Sequence, residues 1–392
     1  MFSMKHGMVS LGSALLLVAA TSLTAGCAGG DTAIDTDSSD LADNDGAQLS
    51  VSGALDYGIY WFGLGNASQK AVAGEANPFY DPSRPTVIYI HGWQRDTTKA
   101  GRRETFNYAA NDPTNGVDIN LADAWVKKGW NIGVFYWNQF ADEDEVKDAE
   151  AKIWSTGGPK GMRFRKKDGT YEAAGATKSA AELFADAYVS ALSGHKNGVI
   201  RLAGHSLGNQ MVVRGAKLLS DRIAAGKAPA LIQPKRVALL DPFWSNGRKD
   251  FLGGKWTGEM TRIHVAELVS RGVVFERYKT SPINDLLVGD RNAELTTMIG
   301  NTEIRPEYIK STDVTGRHVA APNLYFQSFA SAPPASCVAG QGGAKDCSGI
   351  APSAAMDDDA LGAAMRSSFN WVQSEGSATE DPSDNVFDRA AR

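Results

Sequence analysis

The chain has 392 residues, 43% of them hydrophobic and 22% charged, with a formal net charge of −5. That composition belongs to an ordinary globular polypeptide, long enough for one large domain or two medium ones. The mildly acidic balance, without a long basic patch and interleaved aromatics, excludes a nucleic-acid partner.

The first element is a leader. Lys5 and His6 precede an apolar run from Met8 through Val18 that closes on Leu23-Thr24-Ala25-Gly26-Cys27. The run is too short to span a bilayer and ends on small residues, as a signal peptide does. Small residues directly before a cysteine resemble a bacterial lipobox, with Thr24 where leucine is usual. By that resemblance Cys27 becomes the lipidated first residue of the mature chain, and Ala28 favours outer-membrane sorting. The alternative is an ordinary secretory signal cut nearby. Residues 1–27 are therefore expected to be a leader of an exported protein, either secreted or held in the outer membrane or cell envelope by its lipid. Residues 28–48, rich in Asp, Ser, Ala and Gly, cannot bury a core and are expected to be a flexible acidic tether.

From about residue 85, strand-like runs alternate with helical patterns. Val87–Ile90 predicts a buried strand, Leu121–Lys128 a short helix and Ile132–Trp137 a strand. Ala180–Leu192 predicts a helix and Val199–Ala203 a strand, with a further helix running to about Ala225. Arg236–Leu240 reads as a strand, Ile263–Ser270 as a helix and Gly272–Tyr278 as a strand. Such alternation implies an α/β fold, a mostly parallel sheet with helices on both faces. Residues 138–180 are too long for a plain connection and too polar for core. Residues 351–392 form a C-terminal extension, acidic and rich in small residues, with one helix expected around Leu361–Val372 and no assigned function.

Between the strand at Val199 and the following helix stands Gly204-His205-Ser206-Leu207-Gly208. Strand, G-x-S-x-G and helix together make the setting of a nucleophile elbow, in which a sharp turn presents the serine hydroxyl beyond the sheet. Flanking glycines suit the crowding of strand and helix backbones there. Ser206 is thus the candidate nucleophile, and acyl transfer then needs a base, an orienting acid and an oxyanion hole. Of six histidines, His6 falls in the leader, His91 and His195 precede the serine, and His205 should point away from it. His264 sits in a helical pattern, where a lone histidine is usually structural. His318, expected in a loop after Thr315-Gly316-Arg317 and late in the chain, suits the base. Asp241, ending the run Val237–Leu240 before Pro242, is the candidate acid, with Asp285 as rival. Leu207, just after the nucleophile, offers one oxyanion N–H, and the loop after Val87–Ile90 (His91-Gly92-Trp93) offers the second.

Ile90-His91-Gly92-Trp93, Gly204–Gly208 and Leu240-Asp241-Pro242 together resemble the α/β-hydrolase superfamily, and within it the lipases. An acid directly after the strand following the elbow is similar to the pancreatic-lipase-like branch. The resemblance spans residues 85 to about 330 and implies a catalytic domain over residues 49–350. It also implies a triad of Ser206, Asp241 and His318, with Trp93 and Leu207 supplying the oxyanion N–H groups. The chain lacks the disulfide-rich pattern of animal pancreatic lipases, and its His318 segment matches no motif of the family.

The expected activity is hydrolysis of carboxylic esters, a lipase or esterase acting on apolar acyl esters through an acyl-enzyme. Phospholipase A is the close variant, amide hydrolysis uses the same triad, and a catalytically inactive anchored binding lipoprotein is the reading from another class. Trp93, Phe243 and Trp244 are candidate walls of an apolar acyl pocket. The segment 138–180, with Ile153-Trp154 and Met162-Arg163-Phe164-Arg165-Lys166-Lys167, is either a lid meeting an anionic lipid surface or a solvated hairpin. The mechanism requires no cofactor, and the sequence holds neither H-E-x-x-H nor a zinc-like cysteine spacing. Of three cysteines, Cys337 and Cys347 remain after Cys27, an even pair in an exported chain that predicts a local disulfide.

Overall fold

The computed structural model describes residues 53–107, 119–285, 289–339 and 344–392. The leader, Cys27 and the tether through residue 48 lie outside them. The first strands, β1 (Gly58–Phe62) and β2 (Ser68–Lys70), form an antiparallel pair. Then come β3 (Thr86–Ile90), α1 (Thr97–Ala100), α2 (Leu121–Lys127) and β4 (Asn131–Tyr136). Residues 138–180 contribute α3 (Asn138–Ala141), α4 (Val146–Trp154) and a small hairpin, β5 (Arg163–Arg165) with β6 (Tyr171–Ala173). Next follow α5 (Ala180–Ala191), β7 (Ile200–His205), α6 (Gly208–Ala224), β8 (Arg236–Leu240), α7 (Thr257–Ser270), β9 (Val274–Lys279) and β10 (Gly300–Glu303). The chain ends with α8 (Val314–Ser328), β11 (Ala335–Ala339), β12 (Lys345–Ile350), α9 (Asp358–Met365), β13 (Phe369–Glu375) and β14 (Val386–Ala391).

Among the described residues, all strands but the β5–β6 hairpin join one twelve-stranded sheet, in the order β12-β11-β14-β13-β10-β9-β8-β7-β3-β4-β1-β2. The block from β4 through β13 is parallel throughout. Its central strands β3, β4, β7 and β8 are buried on both faces, which is why β3 (TVIYI) and β8 (RVALL) read as apolar runs rather than alternating patterns. One face carries α4, α5, α6 and α7 over a core that includes Phe184, Tyr188, Val212 and Leu239. The other carries α2, α8 and α9 over Trp125, Ala203, Leu324 and Phe326. Helix α5 starts on a capping box, Ser179 exchanging bonds with Glu182.

Three expectations change. His318 lies within α8, not in a loop; Asp313 caps the helix by accepting the Gly316 N–H at 2.7 Å. Buried Ala320, Ala321, Leu324 and Phe326 hold α8 against the sheet, overriding the helix-weakening Gly316 and Pro322. The helix expected over Leu361–Val372 ends at Met365, and Phe369, Trp371 and Gln373 then alternate in β13, pairing with β14 and β10. Residues 351–392 thus supply two strands and a helix to the same sheet rather than trailing from it. Finally, the segment 138–180 is packed: Ile153, Trp154, Met162 and Phe164 are all buried in the core. Its polar appearance comes from ion pairs, with Lys152 and Arg163 on Glu143 and Arg165 on Asp144. Cys337 and Cys347 form a disulfide between the neighbouring strands β11 and β12.

Candidate active site

The sheet changes direction at β3: the chain steps outward to β4, then returns to β7 on the other side of β3 and continues to β8, β9 and β10. Open α/β sheets bind ligands at such a switch point, outside the carboxyl ends of the strands. Ser206 sits there, directly after β7 and before α6. It has φ of 53°, in the left-handed region that a serine occupies only under constraint. The constraint is visible on every side. The Ser206 N–H reaches the Leu240 carbonyl at 3.2 Å, and the Ser206 carbonyl accepts from Phe243 N at 3.3 Å. Asn209 Nδ2 donates to Ser206 O at 3.0 Å and Leu240 O at 2.9 Å. Backbones meet so closely that a Cβ on Gly208 would overlap the Ile90 carbonyl oxygen, and one on Gly92 would lie 2.6 Å from Ser206 Cβ. The loop after β3 therefore touches Ser206, where a source of oxyanion donors for that candidate nucleophile would have to lie.

Asp241 follows β8 with φ of 35°, a second strained backbone next to the first. Its carboxylate is buried and fully engaged. Oδ1 accepts from Thr280 N at 2.9 Å and Ser281 N at 3.3 Å, and Oδ2 accepts from the Ser281 hydroxyl. Oδ2 also receives His318 Nδ1 at 2.7 Å. With Nδ1 committed to Asp241, Nε2 is the free nitrogen of the ring, and it has no hydrogen-bond partner. The His318 ring packs at 4.5 Å from that of His205, the residue before Ser206, and His205 Nε2 bonds the His318 carbonyl at 3.1 Å. Ser206 Oγ and His318 Nε2 are not themselves hydrogen-bonded; such bonds often close only with substrate in place. Asp285 is elsewhere: it pairs with Lys279 at 2.7 Å at the surface and makes no bond to a histidine. The structure brings Asp241, and not its rival, to His318.

Burial lowers the pKa of the other described histidines. Burial pushes His205 well below the usual imidazole range, with His318 adding to the effect. Burial likewise pushes His91 and His264 down to about 4. His91 has a use that the sequence did not reveal. Its Nε2 accepts from Trp137 N at 3.3 Å, so its Nδ1–H donates to the Gly92 carbonyl at 3.0 Å and braces the loop after β3. Leu207 stands at the N-terminus of α6, where backbone N–H groups lack intrahelical acceptors. Trp93, Phe243 and Trp244 are core residues. Trp93 Nε1 bonds the Glu143 carbonyl at 2.7 Å, and Trp244 Nε1 bonds Thr261 Oγ1 at 3.0 Å.

Two further residues went unread. Gln210, one turn into α6, donates to Glu150 Oε1 at 2.6 Å and to Phe243 O at 2.8 Å, while accepting Trp154 Nε1 at 2.6 Å. Glu150, fully buried in α4, also accepts from Ser245 N at 3.0 Å and Thr257 Oγ1 at 2.8 Å. Together they tie the 138–180 segment to the elbow helix and to the loop after Asp241. The signal was Asn209-Gln210 directly after the elbow, two amides where a buried first turn would otherwise be apolar.

Glu104 is a buried acid bonded to Gln94 of the loop after β3. Burial pushes its carboxyl up to about 7, even though Tyr89 OH and Gln94 Nε2 both donate to it. A carboxyl raised from 4.5 takes up protons in the folded state first, so its stabilising contribution is complete at low pH and is lost as pH rises toward 7. Glu104→Gln should therefore flatten stability between pH 4.5 and 7, by up to about 3 kcal/mol relative to wild type across that window. Urea unfolding of both proteins at pH 5 and 8 measures it; parallel curves would refute the assignment.

No family model matches this sequence, and no curated protein matches it. Solved structures with partial likeness include a sugar hydrolase from Lactococcus lactis, at 11% identity and TM-score 0.30 over 64% of this chain and 75% of that one. A poly(3-hydroxybutyrate) depolymerase from Bordetella parapertussis shares 18% identity at TM-score 0.29, over 62% and 68%. A lipase-esterase related protein from Clostridium acetobutylicum shares 11% at 0.31, over 68% and 96%. Strand order, the switch point at β3 and the elbow after β7 define the fold, which is that of the α/β-hydrolases.

Proposed function

We propose that this chain is a carboxylic ester hydrolase with Ser206 as nucleophile, His318 as general base and Asp241 as the acid that orients it. The observation carrying the proposal is the His318 Nδ1–Asp241 Oδ2 hydrogen bond of 2.7 Å, built beside a serine strained at φ of 53°. Asp241 fixes the tautomer that leaves Nε2 to accept the serine proton. Ser206 Oγ attacks the ester carbonyl, and N–H groups of Leu207 and Trp93 stabilise the oxyanion. The alkoxide leaves with the proton from His318, and water activated by the same imidazole releases the acid.

The apolar-ester expectation receives less support than the reaction class. The aromatics assigned to an acyl pocket are in the core, and two of the bases assigned to a membrane-facing lid, Arg163 and Arg165, are in ion pairs. An esterase is therefore favoured over a lipase or phospholipase A. The lipid anchor at Cys27 and an envelope location belong to the same proposal and rest on the leader-like sequence. A panel of p-nitrophenyl esters of increasing chain length tests the reading, with Asp241→Asn and Asp285→Asn compared on the best substrate. Asp241→Asn should lower kcat by about 10⁴-fold through the wrong imidazole tautomer, and Asp285→Asn by less than about twofold, as for an exposed ion pair. Equal losses would remove Asp241 from the triad.

A further inference from the structure

Ser206 and Leu207 share one peptide unit, and its carbonyl is held by three donors. Ser206 O accepts from Asn209 N at 3.2 Å, from Phe243 N at 3.3 Å and from Asn209 Nδ2 at 3.0 Å. A trans peptide is planar, so donors that fix the direction of its C=O also fix the opposite direction of its N–H. Here that N–H belongs to Leu207, at the start of α6, where backbone N–H groups have no intrahelical acceptor. Hydrogen bonds on the carbonyl also polarise the amide and make its N–H a better donor.

The two backbone donors come with the turn itself. The third is the side chain of Asn209, which is fully buried. Its Nδ2 also donates at 2.9 Å to Leu240 O, in the peptide that leads into Asp241. Two carbonyl oxygens against one amide group fix its orientation, since the flipped amide would set Oδ1 against both. Neither carbonyl depends on it. Ser206 O keeps its backbone donors, and Leu240 O keeps Ser206 N at 3.2 Å. Asn209 meanwhile leaves its own Oδ1 buried without a partner. An amide that rescues no orphaned group and carries one of its own adds little to stability. What it adds is position: it ties the two turns with left-handed φ, 53° at Ser206 and 35° at Asp241, to the first turn of α6.

We propose that Asn209 is a positioning residue of the oxyanion hole. It aims and polarises the Leu207 N–H through the Ser206 carbonyl, and it locks the nucleophile turn to the acid turn. It touches no reacting atom. The proposal rests on the ester-hydrolase reading and adds to it the group that tunes one oxyanion donor.

Steady-state kinetics on the best ester test it. Asn209→Leu keeps the size of the side chain and removes the donor. It should lower kcat by about tenfold or more and leave KM within about twofold, because the oxyanion exists only beyond the ground state. Asn209→Ala and Asn209→Ser form a second pair that differs by one hydroxyl. A serine there can donate to the helical carbonyl three residues back, which is Ser206 O. Serine should therefore recover most of the kcat that alanine loses, even should leucine disturb the packing. Butaneboronic acid forms a tetrahedral adduct with a serine and sets a boron-bound oxygen where the oxyanion would lie. Its inhibition constant should weaken in parallel with kcat across the variants. A merely structural role would instead lower the urea midpoint and leave the kcat of the folded fraction unchanged. That result, or equal kcat in the alanine and serine variants, overturns the positioning role while the hydrolase stands. Absence of ester turnover by wild type overturns both.

Discussion

Ser206→Ala is expected to abolish turnover, lowering kcat on the best ester by about 10⁴-fold or more while the protein stays folded. The argument is geometric before it is chemical. At the switch point Ser206 stands on the strained turn, His91 and His205 are committed to carbonyl groups, and the Asp241 carboxylate is saturated by Thr280, Ser281 and His318. His318→Gln should cost about as much as Ser206→Ala, and the double variant no more than either, since nucleophile and base act as one unit. Residual activity above about a hundredth of wild type in Ser206→Ala would mean a different nucleophile, and additive losses would mean that His318 serves some other step. A second readout comes from the backbone. Left-handed φ costs a non-glycine residue roughly 1–2 kcal/mol, so Ser206→Gly should unfold at higher urea than Ser206→Ala although both are inactive. Loss of activity accompanied by a gain in stability is the mark of strain held for function.

How far such a site is legible in sequence depends on where its determinants lie along the chain. Ser206 and Asp241 could be read because each terminates an apolar strand that is buried on both faces, and the turn chemistry follows within a residue or two. The core strands β3, β4, β7, β8 and β9 were legible for the same reason. His318 was legible as a residue type late in the chain but not as a helical residue. Gly316 and Pro322 argue locally against a helix, and the opposing term is the burial of α8 on a sheet assembled from distant segments. The peripheral strands β10 through β14 are polar-faced, and pairing with one another, as β10 with β13 and β11 with β14, is what makes them strands. Residues 138–180 were misjudged as non-core because composition counts charges without knowing that Lys152, Arg163 and Arg165 find carboxylates. Within the site, the second layer of Asn209, Gln210, Glu150 and His91 shows only when three or four segments are brought together.

The largest expected stability effect sits at the opposite edge of the same strand that ends in Asp241. Arg236 opens β8 and is fully buried, with Nε and Nη2 each 2.7 Å from the Glu276 carboxylate on β9. Burial works against its charge, and the Glu276 carboxylate more than restores it. Nη2 also donates to Ser353 O at 2.7 Å and Nη1 to Met356 O at 2.5 Å. Through those carbonyls one guanidinium fastens the start of the C-terminal segment to the central sheet. Glu276 in turn accepts from Tyr278 OH at 2.6 Å and Tyr325 OH at 3.2 Å. Arg236→Met therefore strands a buried carboxylate and two buried carbonyls at once, and should destabilise the fold by about 3–5 kcal/mol. Adding Glu276→Leu removes the stranded charge, so the double variant should be more stable than Arg236→Met alone. It should not return fully to wild type, because the Ser353 and Met356 carbonyls remain without a donor. Denaturant unfolding of the four proteins gives the coupling directly, and a single-variant loss below about 1 kcal/mol would show that water reaches the pair. The strand's two ends should then separate experimentally. Arg236→Met is expected to lower the midpoint of unfolding while leaving the kcat of the folded fraction close to wild type. Asp241→Asn should do the opposite, since the chemistry depends on what the carboxyl end of β8 presents and the stability on what its amino end holds.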